Sequence, residues 1–306
     1  MDLRPSRRGV DGGALPEPWL RKTLLTSDGE RISAVCDPWI RTGGVPTDRP
    51  TYVVSHGFTG SWSIGDNRRI ASALSAHGAV ISLDHRGHAE SSGECTLGKD
   101  EPADIDAAIE WAYWLGAPNV ITVGFSMGGS IVLRQAALAD DRTRPAAVVS
   151  VSSAGFWFYQ GTQPMRLLHR AVFSSVGRTL LRNGFGTVVN PHEWEPPYPL
   201  DPTGAAALIA PTPLLIVHGR QDTYFPIEHP ESIEAGARRG AVERGVKDRT
   251  ALWLLDDFAH AESATSAELA DRIGVWAMKA VGVSDADLES ESDAARDVEH
   301  NPTAAG

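Results

Sequence analysis

Six short apolar runs constrain the fold of this chain more than any other feature. Several are hydrophobic at almost every position, as expected for strands buried on both faces of a parallel sheet. The runs are Thr51–Ser55, Ala79–Leu83, Val120–Val123, Ala146–Val151, Leu214–Val217 and Ala251–Leu255. Two further strands are predicted near Arg21–Leu25 and Ile32–Cys36, because they flank Ser27-Asp28-Gly29, a sequence typical of a hairpin turn.

Helical patterns separate these strands, at about Asp66–His77, Pro102–Leu115, Met127–Ala139 and Glu262–Val281. Alternating strands and helices predict an α/β fold with a mostly parallel sheet. Ligands of such sheets bind at the carboxyl ends of the strands, so this edge is where we expect the chemistry.

One segment breaks the alternation. Residues 155–200 have a helical middle flanked by aromatic and proline-rich ends, and they are too long for a simple connection between strands. We therefore expect a core formed by residues 21–154 and 201–281, with residues 155–200 inserted as a helical cap. Residues 1–20 are predicted to be a flexible leader. Residues 282–306, with seven acidic residues and one basic, are predicted to be a disordered tail.

Composition excludes several classes of function. The formal net charge is −11, which argues against nucleic-acid binding, since affinity for phosphate backbones needs clustered Lys and Arg. No apolar run is long enough to span a membrane, and the N-terminus lacks the apolar region of a secretory signal. The only cysteines, Cys36 and Cys95, have no metal-type spacing and predict reduced thiols in a cytoplasmic protein.

The sharpest motif is Gly124-Phe125-Ser126-Met127-Gly128, which follows a predicted strand and opens a predicted helix. This is the G-x-S-x-G pattern of a nucleophile elbow, in the strand-turn-helix context that such an elbow requires. The alternative is a glycine-rich turn whose serine only caps the helix. The context favours Ser126 as a nucleophile.

A serine nucleophile needs a base, and that base needs an orienting carboxylate. Asp222 and His260 each follow a predicted strand, in the chain order Ser, Asp, His. We expect His260 to act as general base and then acid, with Asp222 orienting its imidazole. Three other carboxylates lie close to His260 in sequence and could orient it instead: Asp256, Asp257 and Glu262.

An acyl-transfer site also needs donors for the oxyanion. The backbone N–H of Met127 is predicted to be one donor, and that of Phe58, after the strand Thr51–Ser55, the other. His56 in the same loop is expected to be structural. Trp62 could line the pocket or pack in the interior.

Together these motifs resemble the α/β-hydrolase superfamily. The resemblance rests on His56-Gly57-Phe58, Asp84-His85-Arg86-Gly87-His88, Gly124–Gly129, Asp222 and His260. The nearest branch is that of serine aminopeptidase-like hydrolases, monoacylglycerol lipases and lysophospholipases. The resemblance spans about residues 21–281 and implies an eight-stranded sheet, flanking helices, and a Ser-Asp-His hydrolase without cofactor or metal. It gives the Asp84–His88 stretch a loop-shaping role and no chemical one.

The expected activity is hydrolysis of a carboxylic ester on a small-molecule acyl substrate, through an acyl-enzyme on Ser126. A thioesterase, a lysophospholipase, a small-peptide peptidase or a carbon–carbon hydrolase could use the same triad, and a non-catalytic receptor could keep it. The sequence leaves the oligomeric state open.

Two features of the inserted segment bear on the substrate. The run Phe156–Tyr159 could form a pocket wall or only pack within the cap. The four arginines of the segment could attract an anionic ester or only face solvent. These are Arg166, Arg170, Arg178 and Arg182.

Overall fold

The computed structural model describes residues 19–38, 45–46 and 48–283. The predicted leader and acidic tail lie outside these ranges, apart from the two innermost residues of each. Of the predicted leader, Leu20 already belongs to the first strand.

An eight-stranded sheet forms the centre of the molecule, in the order β1-β2-β4-β3-β5-β6-β7-β8. Strands β3 to β8 are parallel, and β2 pairs antiparallel with both β1 and β4. The strands are β1 Leu20–Leu25, β2 Arg31–Asp37, β3 Thr51–Ser55, β4 Ala79–Leu83, β5 Val120–Phe125, β6 Ala147–Val151, β7 Leu214–Gly219 and β8 Thr250–Leu255. The predicted mostly parallel sheet and its N-terminal hairpin are confirmed.

Helices cover both faces of this sheet. Helices α1 and α9 pack on one face, while α2, α3, α6 and α7 pack on the other. The helices are α1 Gly65–Leu74, α2 Pro102–Trp114, α3 Met127–Leu138, α4 Gln163–Phe173, α5 Ser175–Phe185, α6 Pro202–Ile209, α7 Glu228–Glu243, α8 Ala261–Ala264 and α9 Ala267–Ala280. Strands β3 to β7 are buried at every position, which explains why their sequences are mostly apolar and do not alternate.

The single helix predicted over Glu262–Val281 is wrong. The chain forms α8 and α9 there, because the Ser266 hydroxyl accepts a hydrogen bond from the N–H of Leu269 and caps a new helix. Helices α6 and α7 were not predicted. Helix α6 has a clear signal, since Asp201 caps it by accepting from the N–H of Gly204, and Pro202 follows at its first position.

Helices α4 and α5 lie between β6 and β7, within the segment expected to be an insertion. They are joined at Ser174, whose hydroxyl accepts a hydrogen bond from the N–H of Gly177 and caps α5. Gly186 ends α5 with a left-handed φ of 66°, as is common after a helix. None of the described helices has the length and apolar character needed to cross a bilayer.

Candidate active site

Ser126 lies in the sharp turn between β5 and α3, with φ 51° and ψ −116°. Positive φ is unfavourable for a serine, so the surrounding structure must hold it there. Its N–H donates to the carbonyl of Val151 at the end of β6, and its carbonyl accepts from the N–H of Gly129 in α3. The turn is thus fixed by the strand beside it and by the helix that follows.

The two glycines of the motif let the strand and helix approach. A Cβ atom on Gly124 would lie 2.2 Å from the carbonyl oxygen of Gly128, and one on Gly128 would lie 2.2 Å from that of Ser55. Both distances are far below van der Waals contact. Any side chain at either position would therefore push α3 away from the sheet.

His260 and Asp222 meet Ser126 at the carboxyl edge of the sheet. His260 Nε2 is 2.9 Å from Ser126 Oγ, and His260 Nδ1 is 2.7 Å from Asp222 Oδ2. The other carboxylate oxygen of Asp222 accepts the N–H groups of Tyr224 and Phe225, at 2.8 and 3.0 Å. Burial would raise the pKa of Asp222, but its hydrogen bond with His260, the charge of that imidazole and the N–H of Phe225 together lower the pKa below its ordinary value.

The three alternative carboxylates have other partners. Asp256 pairs with Arg220 at 3.0 Å on the surface, and Asp257 accepts from Gln221 at 3.4 Å. Glu262 accepts the N–H of Gly57 at 2.6 Å. Of the four carboxylates considered for His260, Asp222 is the one that contacts its imidazole.

The two expected oxyanion donors both border the cavity next to Ser126. Phe58 follows β3, and Met127 is the first residue of α3. Within the described part of the chain, the N–H groups of Phe58 and Met127 have no hydrogen-bond acceptor. They are therefore available to a ligand atom.

A cavity of about 730 Å³ opens above Ser126 and is lined mainly by apolar and aromatic side chains. All four residues of the Phe156–Tyr159 run line it. They also pack, since the ring of Phe156 stacks on His229 of α7 with centroids 4.3 Å apart. Both interpretations of this run therefore hold.

The four arginines of the inserted segment are not among the described residues that line the cavity. Arg166 donates to the carbonyls of Gln160 and Gly161, and Arg178 donates to that of Val172. These two guanidinium groups stabilise the segment's own backbone. The charged side chains that do line the cavity are Lys99, Asp100, Glu193 and Glu262.

Trp62 and His56 both turn out to be structural. Trp62 is buried outside the cavity, and its backbone N–H donates to Asp84. The ring of His56 bridges the carbonyl of Gly57, at 2.7 Å, and the N–H of His85, at 3.0 Å. Burial holds the pKa of His56 well below its usual range, so the ring is neutral.

The Asp84–His88 stretch forms a buried polar network beneath this loop. His85 Nε2 is 2.7 Å from Ser55 Oγ, and Arg86 pairs with the buried carboxylate of Asp104. Neither Ser55 nor His85 lines the cavity, so this second serine–histidine contact has no access to a ligand.

Sequence reasoning missed two neighbours of the site. The ring of Tyr224 stacks on the imidazole of His260, with centroids 4.3 Å apart. Glu262 was considered only as a partner for His260, and its contact with Gly57 depends on a pairing between residues 205 positions apart. The position of Tyr224, two residues after the predicted Asp222, could have indicated that it lies near the site. Nothing in the sequence indicated the contact between Glu262 and Gly57.

A family model of the alpha/beta hydrolase fold matches residues 50–168. Among curated proteins, none matches the chain.

Solved structures of several esterases are similar to this one. Esterase Pf2001 of Pyrococcus furiosus superposes with a TM-score of 0.64 and 21% identity, over 89% of this chain and 96% of that one. The esterase domain of a Rhodothermus marinus protein gives 0.59 and 20%, over 86% and 100%. Est1E of Butyrivibrio proteoclasticus, with ferulic acid bound, gives 0.54 and 20%, over 85% and 99%. At these identities the likeness establishes a shared fold.

Proposed function

We propose that this chain, which shares the α/β-hydrolase fold, is a serine hydrolase that cleaves carboxylic esters through an acyl-enzyme on Ser126. One observation carries the proposal. Asp222, His260 and Ser126 form a hydrogen-bonded chain with heavy-atom distances of 2.7 and 2.9 Å, and Ser126 and His260 border a large cavity. That arrangement can activate a serine hydroxyl, which is otherwise a weak nucleophile.

The reaction follows from the geometry. Ser126 Oγ attacks the ester carbonyl while His260 Nε2 takes its proton, and Asp222 stabilises the imidazolium that forms. The N–H groups of Phe58 and Met127 bind the oxyanion of the tetrahedral intermediate. His260 then gives its proton to the departing alcohol. A water molecule then attacks the acyl-enzyme through the same steps, with His260 again acting as base and then acid, and the carboxylic acid is released.

The lining of the cavity bears on the substrate class. Aromatic and aliphatic side chains from both the core and the inserted segment surround the space above Ser126, so an apolar acyl or alcohol group is favoured. The arginines that could attract an anionic ester lie outside the lining. A neutral ester is therefore a better candidate than a phosphate-bearing one such as a lysophospholipid. We also infer a cytoplasmic location from the two free, buried cysteines.

Replacing the nucleophile tests the proposal. Ser126→Ala is expected to lower kcat for p-nitrophenyl esters by at least about 10⁴-fold and to abolish labelling by a fluorophosphonate probe. Ser130→Ala is the matched control, because Ser130 lines the same cavity one helical turn away without contacting His260. Retained labelling of Ser126→Ala with an intact fold would refute the assignment.

Substrate panels separate the remaining alternatives. We expect the wild-type protein to hydrolyse neutral p-nitrophenyl esters with a higher kcat/KM than matched thioesters, peptides or anionic esters. Binding of these compounds without turnover would instead indicate a receptor on the hydrolase scaffold. Turnover of a thioester, a peptide or a carbon–carbon bond in preference to every ester would replace the ester assignment.

A further inference from the structure

Three of the four backbone N–H groups in the loop Gly57–Gly60 are hydrogen-bonded within the protein. The N–H of Gly57 donates to Glu262 Oε1 at 2.6 Å, and the N–H of Thr59 donates to His88 Nε2 at 3.3 Å. The carbonyl of Gly57 accepts from the N–H of Gly60, at 3.0 Å, and from the ring of His56. The N–H of Phe58 is the donor in this stretch that remains for a ligand.

These contacts fix the direction of that N–H. The carbonyl of Gly57 and the N–H of Phe58 belong to one trans peptide and so point in opposite directions. Because the carbonyl points toward His56 and Gly60, the N–H points away from them. Gly57 has wide freedom in φ and ψ, and this freedom is removed only if the peptides on both of its sides are held. The peptide on the N-terminal side is held by Glu262.

Glu262 is itself held in place. It lies in α8, two residues after His260, and Ala261 between them has a strained φ of 51°. The N–H of Ala261 donates to Ser152 Oγ at 3.1 Å, and the guanidinium of Arg69 donates to the carbonyl of Glu262 at 3.1 Å. The turn at Ala261 thus directs His260 toward Ser126 and Glu262 toward Gly57.

The carboxylate, the loop and the nucleophile are in close contact. A Cβ atom placed on Gly57 would lie 3.2 Å from both Glu262 Oε2 and Ser126 Cβ. Burial raises the pKa of Glu262, while the hydrogen bond from Gly57 acts in the opposite direction. A half-buried carboxylate needs hydrogen-bond donors to offset its lost hydration, and among the described residues Gly57 supplies such a donor to Glu262 from another element.

We propose that Glu262 is a positioning residue for the oxyanion hole. Its carboxylate holds the peptide between His56 and Gly57, so that the N–H of Phe58 faces the oxygen formed on the substrate. This inference rests on the proposed function, because it presumes an acyl transfer on Ser126. Glu262 also joins the oxyanion loop to the short helix that begins after His260. The position of the base and the direction of one oxyanion donor therefore both depend on the turn that contains His260 and Glu262.

Two kinds of substitution distinguish the hydrogen bond from the charge. Glu262→Gln keeps an oxygen acceptor for Gly57 and removes the charge, whereas Glu262→Met removes the acceptor and keeps the length. Glu262→Ser, whose side chain cannot reach Gly57, serves as a second removal variant if the methionine variant does not fold. Glu268→Met, at an exposed position in α9, is the matched control for loss of a glutamate.

The expected result is a loss in kcat rather than in KM. Glu262→Met should lower kcat for a p-nitrophenyl ester by about 10- to 100-fold with KM within about twofold, because misplacing a donor weakens binding of the transition state alone. The inhibition constant of a trifluoromethyl ketone should rise by the same factor, since Ser126 adds to its carbonyl and leaves an oxyanion in the hole. Glu262→Gln should stay within about threefold of wild type in both measurements.

Two outcomes would overturn the proposal. One is a folded Glu262→Met or Glu262→Ser variant with unchanged kcat and unchanged ketone inhibition. The other is an equal loss in Glu262→Gln, which would assign the effect to the charge. Failure of the proposed function is separate from both, because it would appear as activity retained by Ser126→Ala.

Discussion

The central sheet and the inserted segment use apolar side chains for different purposes. In β3 to β7 every residue is buried, and helices cover both faces. In α4 and α5 only four residues are buried: Met165, Val172, Gly177 and Leu181. The segment contributes its aromatic residues to the cavity wall instead. Its apolar surface is thus available for a ligand, whereas that of the sheet is committed to stability.

Backbone strain marks the boundary between these two regions. Ser126, Thr59, Leu97 and Phe158 have positive φ and line the cavity, and Ala261, which follows His260, also has positive φ. Each such residue costs of the order of 1–3 kcal/mol and persists only where its surroundings enforce it. At Ser126 the sheet edge enforces the strain through the hydrogen bond to Val151, so we expect the core to tolerate substitution far less than the inserted segment does.

The largest effect is expected where α3 meets the sheet. Gly128→Ala should destabilise the protein by about 3 kcal/mol or more, because the new Cβ would lie 2.2 Å from the Ser55 carbonyl oxygen and 2.6 Å from that of His56. The urea midpoint should fall and esterase activity should be lost. A urea midpoint equal to that of wild type would show that the sheet edge can move to accept the new side chain. The core would then be no less tolerant of substitution than the inserted segment.

The core was also the region that the sequence predicted best. The bounds of β3 and β4 agree with the predicted runs, because a strand buried on both faces stands out as a short, mostly apolar run between polar loops. The site followed from the same regularity, since Ser126, Asp222 and His260 each come just after a strand. Their catalytic roles stay a prediction, but the structure brings their side chains together.

Elsewhere the sequence was insufficient, for identifiable reasons. Four carboxylates lay near His260 in sequence or in expected position, and only the three-dimensional path of the β7–α7 loop brings Asp222 to its imidazole. The break between α8 and α9 depends on one cap at Ser266, which a continuous helical pattern conceals. The contact between the segment and α7 joins residues far apart in the chain and has no local signature.

The contact between the inserted segment and α7 predicts an effect of intermediate size on the free energy of unfolding, and this effect depends on pH. Nδ1 of the buried His229 in α7 accepts the N–H of Gly155 at 2.9 Å, and the rings of Phe156 and Tyr159 pack against it. Burial lowers the pKa of His229 to about 4. A protonated Nδ1 cannot accept, so the native state favours the neutral ring.

The sign follows from proton linkage. Between the ordinary histidine pKa of about 6.5 and the folded value, the unfolded chain binds more protons than the native one, so stability falls as the pH falls through this range. We expect His229 to contribute about 1–2 kcal/mol of the loss between pH 7 and pH 5. In His229→Asn, whose Oδ1 can still accept from Gly155, urea midpoints at the two values should differ less.

His192→Asn is the control for this measurement, because His192 is exposed in the inserted segment, whereas His229 is buried in α7. It should retain the full pH dependence of wild type. An unchanged dependence in His229→Asn would mean that acid acts through other buried histidines, such as His56 or His88, and that the segment and the core respond to acid together.

The smallest effect is expected inside the segment. Gly184 lies in the last turn of α5, and a Cβ atom there would meet nothing within 4 Å. Gly184→Ala should therefore stabilise the protein by about 0.5 kcal/mol, because alanine loses less conformational freedom than glycine in forming a helix. Esterase activity should be unchanged.

Gly186, two residues later, provides a matched control of opposite sign. It is equally open, but its φ is 66°, so alanine there would adopt an unfavourable left-handed conformation. Gly186→Ala should lower the free energy of unfolding by about 1 kcal/mol. Opposite shifts of the urea midpoint would show that backbone conformation determines the stability of these helices even where few side chains pack. Shifts in the same direction would show that it does not.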